Sequence, residues 1–330
     1  MTSTLASSPA VPTETPHRRG IKPYSGMLVL VIVSGAAAML PFLTGPYYQQ
    51  IGYQLFQLVA LATAWNLLAG YTGLASLGSG AFVGIGIYTS VLVSNGQGWA
   101  LPLLLVAGGV VAAVFAVLVS PALFRLRGLY FTVATLALAE ALRILAVNSS
   151  TFKGASGILL EASSPDFYLL YWTVLALAAL STLVIGVILR TPASLSLRSI
   201  RDDEDVAQEM GVRAFRTKLW AFALCAFIMG TVGALQTFRV GAVEPYSSFG
   251  LSWTVQILTV AIVGGLGTQT GPWVGALFVV IVNQALRDVP EVQALINGVV
   301  IIVVVRFAPR GIWGTLVQLS RRRREQHAHG

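Results

Sequence analysis

Apolar stretches long enough to cross a lipid bilayer make up most of this chain, and they leave it few other ways to fold. A helix needs about 20 mainly apolar residues to span roughly 30 Å of hydrocarbon. Only 10% of the residues are charged, against roughly 25% in soluble proteins. The sequence therefore predicts an all-α polytopic membrane protein. The predicted spans are residues 27–44, 51–69, 73–94, 100–124, 128–147, 167–190, 218–238, 252–266, 271–287 and 292–308.

The positions of the basic residues indicate how these ten spans are oriented. Cytoplasmic loops of membrane proteins carry an excess of Lys and Arg. With both termini in the cytoplasm, all but four of the 21 Lys and Arg residues fall in cytoplasmic segments. Nine spans would instead place one of the two terminal basic clusters outside, so we expect ten. Because the basic residues follow this topology, they do not indicate a nucleic-acid partner.

The two ends of the chain are predicted to flank a single transmembrane domain at residues 27–316. Residues 1–26 have the Pro-, Ser- and Thr-rich composition of a disordered cytoplasmic tail. The basic cytoplasmic tail at 317–330 contains four consecutive arginines, which suit anionic lipid headgroups. The first span also has the residue order of a signal peptide, although an uncleaved helix is commoner in polytopic proteins. All three histidines lie in these tails and receive no metal or catalytic role.

Glycine is concentrated in the third span and just before the ninth. Small residues let helices approach closely in a bilayer, which accounts for most of these glycines. The alternative is a helix broken beside a solute route, and the Gly271–Pro272 pair favours a break there. Spans 1–5 and 6–10 are candidates for the inverted halves of a 5+5 repeat. The sequence alone does not establish that repeat.

Glu140 and Arg143 form the one clear pair of ionisable residues within a predicted span. Their i, i+3 spacing places them on one helix face, where they either fix helix packing or contact the solute. No relay of buried acids or histidines crosses the other spans, as ion-coupled transporters commonly need. No metalloprotease motif, nucleotide-binding loop or nucleophile–base pair occurs either. We therefore expect neither an enzyme nor a chain that binds a metal or cofactor, and an autonomous secondary transporter or channel remains the alternative class.

Residues 191–217 interrupt the apolar sequence with a short charged segment. Four consecutive acids crowd the predicted start of a helix, where carboxylates cap free N–H groups and favour the helix dipole. Gly211 is placed to end that helix, and basic residues follow it. A loop that merely follows the positive-inside rule would explain the arginines but not the acids. The acids are Asp202, Asp203, Glu204 and Asp205.

Val206, Ala207 and Met210 are predicted to form a small apolar stripe on this helix of about two turns. So short a helix is not stable alone. We therefore expect it to lie at the membrane surface and to press into a groove on a soluble partner protein.

Several stretches in residues 50–316 resemble the permease subunits of branched-chain amino acid ABC importers, specifically the LivM type. They occur in the order and spacing of that family. The stretches are GYTGLASLGSGAFVGIGIYTSVL, RLRGLYFTVATLALAEALR, RSIRDDEDVAQEMGVRAFRTKLWAFALCAFIMGTVGAL, VGAVEPYSSFGLSWTVQILTVAIVGGLGTQTGPWVGALFV and RFAPRGIWG.

This resemblance implies that the short polar helix is a coupling helix, which docks on an ATPase subunit and transmits its closure. Ala207 and Gly211 match the small-residue positions of that helix. Ser79 stands where the family commonly has a histidine, and the family also serves urea, amides, and aromatic or organic acids. The expected ATPase-coupling residues are Arg198, Arg201, Asp202, Asp203, Glu204, Val206, Ala207, Met210 and Gly211.

The assembly implied by the resemblance contains two related permeases, two ATPase subunits that bind ATP and magnesium, and an external substrate-binding protein. The chain would lie in the plasma membrane, which is the inner membrane of a bacterium, and form half of the solute pathway. Small and aromatic residues of the third span and the ionisable pair of the fifth are candidates for lining that pathway, with core packing as the alternative. These are Ser76, Ser79, Phe82, Tyr88, Glu140 and Arg143.

Overall fold

A computed structural model describes residues 45–161 and 165–287, together with the short stretches 295–296, 298–299, 302–303, 306 and 311–315. The predicted tails at 1–26 and 317–330, the first predicted span and most of the tenth lie outside the described residues. The described helices are α1 (Pro46–Asn66), α2 (Ser79–Gln97), α3 (Leu101–Leu123), α4 (Leu129–Asn148), α5 (Phe167–Ile188), α6 (Ala193–Asp202), α7 (Glu204–Glu209), α8 (Ala214–Val240), α9 (Pro245–Ser248), α10 (Leu251–Gly264) and α11 (Gly271–Ala285).

The described part of the chain is almost entirely helical, which confirms the all-α polytopic prediction. The eight predicted spans from 51–69 to 271–287 each overlap one of these helices. Six helical stretches within the described residues are long and apolar enough to cross a membrane: Pro46–Tyr71, Leu101–Leu123, Leu129–Asn148, Phe167–Ile188, Ala214–Val240 and Pro245–Gly264. The total of ten spans and the inverted repeat stay predictions.

Both glycine-rich stretches are interrupted helices. The third span was predicted from residue 73, but α2 begins only at Ser79. Gly73 has a φ of 77°, and the Trp65 indole donates to the carbonyl oxygen of Ser76 at 2.8 Å, which holds this segment in a non-helical path. Residues 265–270 likewise separate α10 from α11, which begins at the Gly271–Pro272 pair; a solute route beside this break stays a prediction.

Helix α8 is the central element of the bundle. It packs along α2 and α3, while α1 packs against α5, and α10 and α11 pair with each other and with α1. At 27 residues, α8 is about 40 Å long. It therefore runs from the polar segment 191–217 to the opposite end of the bundle. At that end a two-residue ladder pairs β1 (Ile158–Leu159) antiparallel with β2 (Ala242–Val243).

Close backbone approach at glycines sets the distance between α8 and its neighbours. A Cβ atom on Gly86 would lie 2.0 Å from the carbonyl oxygen of Gly230. One on Gly230 would lie 2.5 Å from the Cβ of Ala112 and 2.6 Å from the carbonyl oxygen of Gly108. Since lipid gives no hydrophobic drive for helix association, such contact is a main source of packing energy. Helix packing, the first of the two interpretations of these glycines, accounts for Gly86.

We predict that Gly86→Ala destabilises the helix bundle, because the methyl group forces α2 away from α8 at a cost of about 1–3 kcal/mol or more. Gly96→Ala is the matched control, since Gly96 lies in the same helix with no atom within 4 Å of its added Cβ. Thermal unfolding of the detergent-solubilised protein measures both. Equal midpoints for the two variants would contradict the packing role of Gly86.

Candidate functional site

The polar segment between α5 and α8 folds as two helices: the predicted helix of about two turns is α7, and α6 before it was not predicted. Helix α6 has ten residues and α7 has six. Asp203 separates them with an extended backbone, φ −160° and ψ 116°. Leu197 and Ile200 of α6 are buried against the bundle. The segment is therefore larger than predicted, and it is seated on the transmembrane helices.

The acids and the glycine perform the capping roles predicted for them. One carboxylate oxygen of Asp203 accepts hydrogen bonds from the backbone N–H groups of Asp205 and Val206, at 2.9 and 3.1 Å. This satisfies donors that the start of α7 would otherwise leave free. Gly211 has a φ of 86° just after the helix, a conformation that favours glycine. Asp202 is exposed at the end of α6.

Val206, Ala207 and Met210 do not share one face, so the predicted apolar stripe is wrong. Ala207 is 1% exposed and packs with Ile200 and Ala214. Val206 and Met210 are 50% and 80% exposed. Position 207 faces the bundle, while position 206 points about 100° away from it and Met210 follows the last residue of α7 with a non-helical backbone. A large side chain at 207 would disturb this seating instead of testing a partner contact.

An ion pair ties α7 to α8. The ammonium nitrogen of Lys218 lies 2.6 Å from Oε1 of Glu204. The Lys218 side chain is 3% exposed and that of Glu204 is 22% exposed. The ammonium also lies 5.3 Å from the ring centroid of Phe124. A cation in this apolar position depends on its carboxylate partner.

A second ion pair joins α7 to the turn between α3 and α4. Two guanidinium nitrogens of Arg127 donate to the two carboxylate oxygens of Asp205, at 2.8 and 2.9 Å. The hydrogen bonds from Arg127 hold the pKa of the Asp205 carboxyl below its ordinary value. Because both side chains are more than 60% exposed, solvent screens the pair and its contribution to stability is small. Its two-point geometry fixes the direction of α7.

Arg201 links α6 to the place where the two glycine-rich stretches meet. Its Nη1 atom donates to the carbonyl oxygen of Gly70, in a π-helical turn at Leu67–Tyr71 that ends α1. Asn66 accepts from the N–H of Gly267 and donates to the carbonyl oxygen of Thr268, both at 2.8 Å. These contacts join α6 to the turn before α2 and the turn before α11. We call the group the Arg201 node; it consists of Arg201, Gly70, Asn66, Gly267 and Thr268.

Side chains added at the glycines around the node would make tight contacts with Arg201. A Cβ on Gly73 would lie 3.3 Å from Cγ of Arg201, and one on Gly267 would lie 3.1 Å from its Nη1. Arg198 lies beside the node, with its guanidinium carbon 5.9 Å from the ring centroid of Tyr71. Arg201 is exposed, but its guanidinium contacts the end of α1, whereas the sequence pattern had grouped it with residues that contact a partner.

The six candidates for the solute pathway fall into two separate places. Glu140 and Arg143 are paired as predicted, with Nε of Arg143 2.9 Å from Oε2 of Glu140. The guanidinium also lies 4.9 Å from the ring centroid of Tyr246. The other four are buried inside the subunit, each less than 5% exposed: Ser76, Ser79, Phe82 and Tyr88. Neither location tests a solute contact, so the pathway role stays a prediction.

A polar cavity at the end of α8 remote from α7 was missed in the sequence. It lies between α1, α8 and α10, has a volume of about 260 Å³, and contains no residue of the predicted pathway. The available signal was the presence of glutamines in otherwise apolar spans, since polar side chains in membrane helices mark interior or water-filled surfaces. Its main polar residues are Gln54, Gln57, Arg239, Ser247, Ser252 and Gln256.

Comparisons with known proteins identify relatives of most of the chain. The family model described as "Branched-chain amino acid transport system / permease component" matches residues 47–305. The high-affinity branched-chain amino acid transport system permease protein LivM of Escherichia coli K12 is 27% identical over 316 residues, 86% of this chain and 74% of that protein. The autoinducer 2 import system permease protein LsrC of Klebsiella pneumoniae is 26% identical over 169 residues, 49% of this chain and 48% of that protein. No solved structure gives a significant match.

We predict an asymmetry between the two partners of the buried ion pair. Glu204→Gln leaves the Lys218 cation buried without a counter-charge and should cost roughly 3–5 kcal/mol. Lys218→Met should cost less, because the remaining carboxylate is partly exposed and water reaches it. Thermal unfolding and limited proteolysis of residues 193–217 measure the two effects.

The double variant Glu204→Gln/Lys218→Met is the control, and it should resemble Lys218→Met alone. A larger loss for Lys218→Met than for Glu204→Gln would show that the buried charge does not govern the seating of α7.

Proposed function

The chain belongs to the family of branched-chain amino acid transport system permease components, and we propose that it forms half of the translocation pathway of an ATP-binding-cassette importer for branched-chain amino acids. Its partners are a related permease subunit, two ATPase subunits and an external substrate-binding protein. ATP and magnesium bind to the ATPase subunits. The protein lies in the plasma membrane of a bacterium with both termini in the cytoplasm.

The seating of residues 193–211 is the observation that carries this proposal. Three links fix the segment to three different parts of the bundle, at Gly70, Arg127 and Lys218. Val206 and Met210 remain exposed on its outer surface. A segment held in this way moves as one body with the helices beneath it, as a mechanical coupling element must. We assign the exposed pair to contact with the ATPase subunit.

The Arg201 node gives the motion a route into the membrane domain. When the ATPases close on ATP, they displace α6 and α7, and Arg201 transmits the displacement to the turns before α2 and α11. Segments that end or begin a helix at glycines are the places where backbone rotation costs least. Rigid-body movement about such turns is a known form of alternating access.

The exposed face of α4 is our candidate for the pathway side of the subunit. The long apolar helix α4 buries few of its residues in the described bundle, and it carries the Glu140–Arg143 pair at mid-length. Charged side chains facing lipid are costly. The pair therefore suits a surface that meets the second permease or a water-filled pathway.

The overall function is tested by expressing the tagged chain with candidate partner subunits. Co-purification of an ATPase, and leucine uptake that requires ATP and the external binding protein, is the expected result. Leucine flux by this chain alone in liposomes would identify an autonomous transporter. If the intact complex took up a solute other than an amino acid, the proposed substrate class would be wrong but the assignment as an importer would still hold.

We predict that Met210→Glu weakens ATPase association roughly tenfold or more, because a charge is placed in an apolar contact. Gln208→Glu is the matched control, since it adds the same charge at an exposed position on another side of α7. Pull-down of the ATPase by each variant measures the difference. Equal association for both variants would show that the exposed pair Val206 and Met210 does not contact the ATPase subunit.

We predict that Arg201→Met lowers the amount of solute transported per ATP by roughly 3- to 10-fold, within the range for mutations on a coupling route. ATPase assembly and hydrolysis should persist, because Val206 and Met210, the residues assigned to the ATPase contact, are unchanged. Arg198→Met is the control, since Arg198 stacks on Tyr71 outside the three-way node. Transport and hydrolysis measured together in proteoliposomes test this, and full coupling in Arg201→Met would exclude the proposed route.

A further inference from the structure

The polar cavity at the far end of α8 has the features of a binding site. Three helices each place polar groups on its wall: Gln54 and Gln57 from α1, Arg239 from α8, and Gln256 from α10. Its volume of about 260 Å³ exceeds the roughly 30 Å³ share of one water molecule several times. A neighbouring cavity of about 100 Å³ shares Ser247 and Trp253 with it.

The inner wall of the cavity is fixed by a buried hydrogen bond. Nε2 of Gln57 donates to Oε1 of Gln236 at 2.8 Å, and the two residues are 3% and 8% exposed. A bond between two amides in an apolar bundle is geometrically specific, because an unpaired amide there is costly. Gln57 is therefore held in place before any solute arrives.

Arg239 supplies the only positive charge among the cavity residues. Its guanidinium carbon lies 5.1 Å from the ring centroid of Tyr53, a residue that is fully buried. Among the described residues, no acidic side chain lies within ion-pair distance of Arg239. A position at the end of α8 favours a cation, but this does not explain the glutamines on the two helices opposite.

We propose that this cavity binds the carboxylate group of the transported solute, with Arg239 as the carboxylate-binding residue. A guanidinium held on one face by a ring keeps its in-plane N–H groups available, and they match the two oxygens of a carboxylate. The glutamine amides both donate and accept, which suits the polar remainder of an amino acid, while Leu58 and Trp253 line an apolar part of the wall. The inference rests on the proposed function and adds to it the group that is recognised.

A cysteine at position 247 reports occupancy of the cavity. Ser247 is exposed and contributes to both cavities, whereas Cys225, the single cysteine of the chain, is 2% exposed. In Ser247→Cys, a membrane-impermeant maleimide should therefore react at position 247. The measurement uses the complete importer in proteoliposomes and compares leucine, 4-methylpentanoate and 3-methylbutylamine as protecting solutes.

We expect leucine and 4-methylpentanoate to protect the cysteine and 3-methylbutylamine, which lacks the carboxylate, to give no protection. Adding Arg239→Gln should raise the leucine concentration needed for protection roughly tenfold or more, the loss of one charge-assisted interaction. Arg239→Lys keeps the charge and should lose less. Arg287→Gln is the matched control, since its guanidinium lies 5.3 Å from the ring centroid of Tyr47 and is not part of either cavity.

Protection by 3-methylbutylamine equal to that by leucine would overturn the proposal, and so would unchanged protection in Arg239→Gln. Size-exclusion profiles of all variants show whether the fold is retained. If Arg239→Gln misfolds, the protection measured in Arg239→Lys still tests the proposal. Leucine uptake and ATPase co-purification are measured on the same preparations. Normal uptake without protection refutes the cavity site alone, whereas an absent ATPase refutes the importer assignment.

Discussion

Backbone contact between α8 and its neighbours α2 and α3 is the constraint on which the rest of the bundle depends. At Gly86 and Gly230 the helices approach until no side chain fits between them, because a bilayer rewards close contact and not apolar character as such. The consequence is a rigid central helix. Its first turns carry Lys218, which seats the polar segment, and its last turn carries Arg239, which lies in the polar cavity. The two ends of the protein are thereby joined by one element about 40 Å long.

The polar segment is attached to the bundle by contacts of unequal strength. Loss of one partner of the buried pair Lys218 and Glu204 is the most costly change, because it leaves a nearly buried cation without its counter-charge. The exposed pair of Arg127 and Asp205 provides direction at little gain in stability. Arg201 differs from both, since its partner is a backbone carbonyl in a turn. The two ion pairs therefore hold the polar segment in place, whereas Arg201 transmits its movement.

Sequence patterns predicted the helices well and the contacts between them poorly. Long apolar stretches predicted eight of the helices in the described residues, and the acid–glycine pattern predicted the cap at Asp203 and the stop at Gly211. Spacing also predicted the pairing of Glu140 with Arg143. The prediction of an apolar stripe on α7 was wrong because the sequence does not show which face of that helix the bundle covers. The polar cavity was missed because its residues lie on three helices distant in the chain.

The sequence by itself determined that this chain is a helical membrane protein with one charged segment capped at both ends. Those properties depend on local hydrophobicity and on hydrogen bonds between residues a few positions apart. Only the tertiary structure decided that Ala207 faces inward, that Arg201 reaches the carbonyl oxygen of Gly70, that the two glycine-rich turns meet at Asn66, and that the glutamines share a cavity with Arg239. These are contacts between segments separated by up to two hundred residues, and their geometry is set by how closely the helices pack.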